Sequence, residues 1–186
     1  MPVSLLPVEE LEGPEYTRVW DRFRQHFSFR PSMRPRAAIA EPVDSVTWSL
    51  DALDDDPEYL ALDAMVEALN AGLWACTPAD GTLLVLDWQH ACYRIRPHLM
   101  TAELAPRWPR SMMPDGDYNI HLAEDFSYGT FGHPWESTIC VLGSGLLERV
   151  ADIMDSVLLQ RVREGGRPLG EMRNVAVPSG ELDRLR

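Results

Sequence analysis

Lysine is absent from this chain of 186 residues: all 17 basic side chains are arginine. Without lysine there is no lysine Schiff base, which excludes conventional pyridoxal-phosphate and class I aldolase chemistry. The lysine of a phosphate-binding P-loop is missing too, and no GxxxxGK[ST] string occurs. No GxGxxG follows a strand-like segment and no GxSxG is present, so neither dinucleotide binding nor a hydrolase nucleophile elbow has a basis. The three cysteines, Cys76, Cys92 and Cys140, form no CxxC pair and lie among apolar residues. Buried free thiols are expected, as suits a reducing cytoplasm. No apolar run approaches the roughly 20 residues that span a bilayer, and no basic n-region precedes the short segment Val3–Pro7. A soluble, cytoplasmic protein with no membrane partner is therefore expected. Positive charge is scarce as well: 29 acidic against 17 basic residues leave a formal net charge of −12. Such a surface repels phosphate backbones, so no nucleic-acid partner is expected, whereas cationic ligands and basic proteins are tolerated.

What is present is a core and a clear alternation of elements. Hydrophobic residues make up 45% of the chain and tryptophan is plentiful, enough to fold without disulfides or a structural metal. Tyr16, Val19, Trp20, Phe23 and Phe27 recur at helical spacing and predict a helix over 14–27. Val46, Trp48 and Leu50 alternate with polar residues, as in a strand. Asp54-Asp55-Asp56-Pro57-Glu58 opens a helix, with an aspartate as cap, which runs to about Gly72. Thr82–Trp88 reads as a central strand, Gln89–Ala91 as a tight turn and Cys92–Arg96 as the returning partner. Further strands are predicted at 117–122, 128–131 and 138–142, then a helix capped by Ser144 and extending to about Arg163. The expectation is one α+β domain over residues 1–164, an antiparallel sheet of about five to six strands with helices mainly on one face. A polar tail over 165–186, with Val175–Val177 as a docking segment, would follow.

Two regions hold more special residues than a plain core requires. One is the string Leu86-Asp87-Trp88-Gln89-His90-Ala91-Cys92-Tyr93; the other runs from Pro114-Asp115-Gly116-Asp117-Tyr118 to Gly132-His133-Pro134-Trp135-Glu136. Together these strings resemble an uncharacterised bacterial family, domain-of-unknown-function family 2716. The resemblance is good over residues 80–150 and weak in the N-terminal third. It implies one domain and brings no activity with it.

The residues themselves carry the chemical reading. His90 sits at a predicted turn and is either a turn imidazole bonded to backbone or a general acid/base, since imidazole titrates near neutrality. His133, before Pro134, is open to the same two readings, with a cis peptide as one way to make the turn. His121 shares a strand face with Asp117 and Asn119, either as surface polarity or as a histidine oriented by a carboxylate. His26 and His98 look structural. Trp135 beside Glu136, with Asp125 nearby in sequence, would suit a cationic ligand through an aromatic face and carboxylates. A metal on His90, His133 and Glu136 is a lesser possibility.

The catalytic candidates are thus His90, His133, Asp117 and Glu136, and the substrate-binding candidates Trp88, Tyr93, Tyr118, Asp125 and Trp135. The leading expectation is a small cofactor-independent acid/base enzyme for a small polar or cationic metabolite. The alternative is a non-catalytic acidic module that neutralises a basic partner. The enzyme reading predicts that the two strings fold into one closed hollow with both histidines inside, whereas the binding module predicts site residues spread over a flat surface.

Overall fold

The computed structural model describes residues 6–100 and 108–170. Among the described residues nine strands form one sheet: β1 (Val8–Leu11), β2 (Ser45–Ser49), β3 (Leu83–Asp87), β4 (Cys92–Ile95), β5 (Asn119–Ala123), β6 (Gly129–His133), β7 (Thr138–Leu142), β8 (Arg161–Glu164) and β9 (Arg167–Pro168). Their order is β1-β4-β3-β5-β6-β7-β2-β8-β9, and every neighbouring pair is antiparallel. Three helices pack on it: α1 (Gly13–Phe27), α2 (Leu60–Cys76) and α3 (Ser144–Leu158). Among the described residues no helix is long and apolar enough to cross a membrane.

Each face of the sheet has its own core. Leu84, Leu86, Ile120, Leu122, Phe131, Cys140 and Leu142 point to one side and meet Val19, Trp20, Phe23 and Phe27 of α1. Phe23 lies 6.3 Å from the Phe131 ring, centroid to centroid. Full burial of side chains of this size contributes about 1.5–3 kcal/mol each. The alternate residues Leu83, Val85, Ile139 and Val141 point the other way and meet Met65, Leu69 and Leu73 of α2 and Leu146, Val150 and Met154 of α3. That two-sided burial explains why the middle strands read as continuous apolar runs.

The sheet is therefore larger than the expected five to six strands, and its second face is covered by α1 instead of standing open. The additional strands are short and polar. In β1 two glutamates, Glu9 and Glu10, occupy half of a four-residue edge strand, a composition typical of sheet edges and of loops alike. Residues 161–163 were expected as the end of α3 because Val162 continues its spacing. The helix instead stops where Leu159 turns to φ 63°, and the chain re-enters the sheet as β8. Gly165 and Gly166, at φ 54° and 71°, then make a two-residue hairpin between the paired Glu164 and Arg167, the conformation that favours Gly-Gly. The boundary expected at 164 thus falls inside a hairpin; Val175–Val177 lies outside the described residues.

Helix boundaries also moved. Asp56 caps α2 as an aspartate was expected to, its carboxylate accepting the N–H groups of Leu60, Ala61 and Leu62 at 2.9–3.0 Å. Gly72 does not end that helix. It sits at the crossing with α3, where an added Cβ would lie 2.7 Å from both Leu146 and Val150. Ser144 is the first residue of α3, and Gly143 (φ 92°) takes the cap position without a side-chain bond.

Candidate functional site

Asp87 pairs with Asn119 across β3 and β5, so the loop leaving β3 and the loop entering β5 lie side by side. Trp88 N–H donates to the Tyr118 carbonyl between them at 3.4 Å. The first loop is a tight turn closed by His90 N–H on the Asp87 carbonyl at 3.2 Å, with Gln89 at φ 68°. Glycine is the favoured residue for a positive φ in a turn; a side chain there costs about 1–2 kcal/mol. The turn folds the imidazole back over the carboxylate that precedes it, and His90 Nδ1 lies 2.9 Å from Asp87 Oδ1. The second loop turns at Gly116 (φ 77°) and brings Asp117 Oδ2 within 3.3 Å of the same Nδ1. The other Asp117 oxygen accepts Tyr118 N–H at 2.7 Å.

A third segment, 108–114, straps the α2–α3 side of the sheet. Its Met113 carbonyl accepts Asn119 Nδ2–H at 2.8 Å, and Trp108 packs 5.6 Å from the His121 ring. Pro114 sits against Gly132, where a Cβ would come within 2.9 Å of it. Thus anchored, the strap places Arg110 Nε 2.9 Å from Asp87 Oδ2. The N–H is not aligned along that contact, which makes it an ion pair more than a hydrogen bond.

Charge and exposure divide this cluster into two layers. The Asp87 and Asp117 side chains are 7% and 14% exposed, whereas His90 is 56% exposed and Arg110 33%. The hydrogen bond to Asp87, then its charge, raise the His90 pKa above the ordinary imidazole value, and Asp117 adds to this. Burial raises the Asp117 pKa. A carboxylate on Nδ1 makes that nitrogen the proton carrier and leaves Nε2, which has no partner among the described residues, as the working atom. One atom from each of Asp87, His90 and Asp117 lies within 4.8 Å of the others, the spread of a small cation site, yet the Arg110 guanidinium already stands on Asp87.

The sequence model of the family described as protein of unknown function (DUF2716) matches residues 10–147. The chain belongs to that family. The DUF2716 span takes in Asp87, His90, Arg110 and Asp117 and stops before β8. The uncharacterized protein YxiI of Bacillus subtilis strain 168 is 27% identical over 145 residues, 75% of this chain and 90% of that protein. No solved structure matches.

In this DUF2716 protein the other expected site residues do not join His90. His133 lies on the α1 side of the sheet, 1% exposed, with Nε2 2.9 Å from the Arg36 carbonyl and Nδ1 accepting Glu136 N–H at 3.1 Å. Both nitrogens serve backbone, and burial lowers the pKa, so the ring is held neutral as a turn imidazole. The peptide to Pro134 is trans. Glu136 grips Arg163 with both oxygens at 2.8 Å, and Arg163 reaches Glu41 at 2.7 Å. Burial pushes the Glu136 pKa up, but the Arg163 bonds and charge outweigh it and the net shift is downward. The expected grouping of His90, His133 and Glu136 around one metal is thus not formed.

The aromatic candidates sort the same way. Tyr118 is fully buried, its hydroxyl donating to the Ser32 carbonyl and accepting Ser32 N–H. Trp88 and Trp135, both half-buried, pack on it at 5.7 and 5.1 Å against the edge of the α1-side core. Tyr93 is half-buried opposite Val85. Asp125 belongs to the β5–β6 turn at the far end of the sheet, where it accepts Ser127 N–H and O–H. Arg110 was missed, because a lone arginine in a proline-rich connection carries no periodic signal. His121 is fully buried, with neither ring nitrogen hydrogen-bonded among the described residues.

Proposed function

We propose that this DUF2716 protein is a small acid/base enzyme for a small polar metabolite, needing no organic cofactor, with His90 as the group that moves the proton. The observation that carries this reading is the clamp on Nδ1: two largely buried carboxylates hold one imidazole nitrogen while the ring stands exposed. Such a pair fixes the tautomer and stabilises the imidazolium that forms in mid-reaction. Neutral His90 takes a proton from the substrate at Nε2, the positive charge rests against Asp87 and Asp117, and the proton returns to the product. The strained turn at Gln89 fits a segment shaped for position. Because the His90 pKa is raised, base catalysis sets in above the ordinary imidazole range as pH increases, and acid catalysis fades over the same interval.

The test uses metabolite extracts. Wild-type and His90→Ala proteins are incubated with the same extract and products are compared by mass spectrometry. At least one metabolite should be converted about 100-fold faster or more by the wild type. Indistinguishable product profiles from the two proteins would remove the enzyme reading.

A further inference from the structure

Arg110 differs from the other well-placed arginines. Arg94 is held between Glu15 and Glu124, Arg161 between Asp155 and Glu164, and Arg163 between Glu41 and Glu136. Each of those guanidinium groups is consumed by two carboxylates. Arg110 has one off-axis contact, through Nε, and its two terminal nitrogens have no partner among the described residues. It is nevertheless fixed in place, since its strap is tied by Met113 to Asn119 and by Trp108 to His121.

We infer that the substrate carries a small oxyanion, a carboxylate or a phosphate, which Arg110 holds beside His90. This rests on the acid/base reading above and replaces the cationic ligand expected earlier. The layering argues for it. A ligand arriving from solvent meets the guanidinium and the imidazole first, because the carboxylates lie beneath them. A cation would have to pass two basic groups to reach Asp87. An oxyanion meets a planar pair of N–H donors, the geometry that binds carboxylate and phosphate in bidentate fashion. With His90 protonated the cluster is neutral overall, two carboxylates against two cations; with His90 neutral, as the base, it carries one negative charge, and the paired contact with Arg110 must hold the anion against it. The chain's net charge of −12 acts weakly here, since charges more than about 8–10 Å away are screened at physiological salt. The arrangement also assigns the two groups different tasks. Arg110 orients the substrate through its anionic end, and His90 moves a proton close to that end.

Proton NMR of the full chain reads this through the His90 ring signal, assigned with His90→Gln. Acetate, inorganic phosphate and guanidinium are titrated separately at constant ionic strength. Acetate or phosphate should move the signal saturably, whichever is preferred naming the anion, and guanidinium should not. Arg110→Gln should weaken the anion response about tenfold or more, the scale of a charge-assisted contact. An equal response in Arg110→Gln, no response to either anion, or a saturable response to guanidinium alone would overturn the inference. Should Arg110→Gln fail to fold, the comparison of probes on the wild type still decides between anion and cation. The pKa of His90 in ligand-free protein is a separate readout: an ordinary value sinks the acid/base reading, while a raised value without anion binding sinks only the oxyanion.

Discussion

Acidification should expose a liability at His121. The ring is fully buried under the 108–114 strap, tilted against Trp108 and facing Thr130 and Val85 across the sheet, with no hydrogen bond to either nitrogen among the described residues. Burial lowers its pKa to about 4; the Arg110 carbonyl pulls weakly the other way without completing a bond. The unfolded chain has an ordinary imidazole near 6.5. Between those values the unfolded state binds a proton that the folded state refuses, so stability falls as pH falls from about 6.5 toward 4. From pH 7 to pH 5 the loss amounts to about 2 kcal/mol, roughly 1.5 pH units at 1.36 kcal/mol each. His121→Leu removes the titration and also removes two unsatisfied polar atoms, whose burial costs on the order of 1–3 kcal/mol apiece. Urea denaturation of both proteins at pH 7 and pH 5 measures the difference. The variant should be at least as stable at pH 7 and lose about 2 kcal/mol less on acidification. Other groups, Glu136 among them, also lose stabilisation in acid, which is why the comparison is between the two proteins. Parallel losses in both would refute the reasoning.

Asp87→Asn should lower the His90 pKa toward the ordinary imidazole value, because the leading cause of its elevation is the bond to that carboxylate; an unmoved NMR titration would place the cause elsewhere. The stabilisation tied to His90 has the opposite pH sign to that of His121, being present in acid and lost as pH rises through the raised pKa. Arg163→Met should destabilise the fold by about 3 kcal/mol or more, since it strands the buried carboxylates of Glu41 and Glu136. Denaturant midpoints measure it, and a loss below about 1 kcal/mol would show that solvent reaches those carboxylates.

The sequence was most readable where one physical signal acted alone. The Val19–Phe27 and Leu146–Leu158 stripes have helical spacing, and both became helices. The LDWQH and PDGDY strings were expected to meet, and the β3–β5 pairing brings them together. Elements stabilised by partners distant in sequence were not legible. Arg161–Glu164 joins the sheet through β2, more than a hundred residues earlier, and only the Gly165-Gly166 pair hinted at a hairpin. His133 and His90 looked equivalent as residue types. Strand alternation sends the first into the α1-side core, while the β3–β4 turn leaves the second in solvent. Composition cannot see that difference, because one residue of register decides which face a side chain takes.

Helices pack against both faces of the sheet, and the proposed site lies instead where strands end. Loops converge there: one rim gathers the β3–β4 turn, the approach to β5 and the strap behind Arg110. Changes to those loops would therefore reshape the proposed site while the strands beneath keep their pairing.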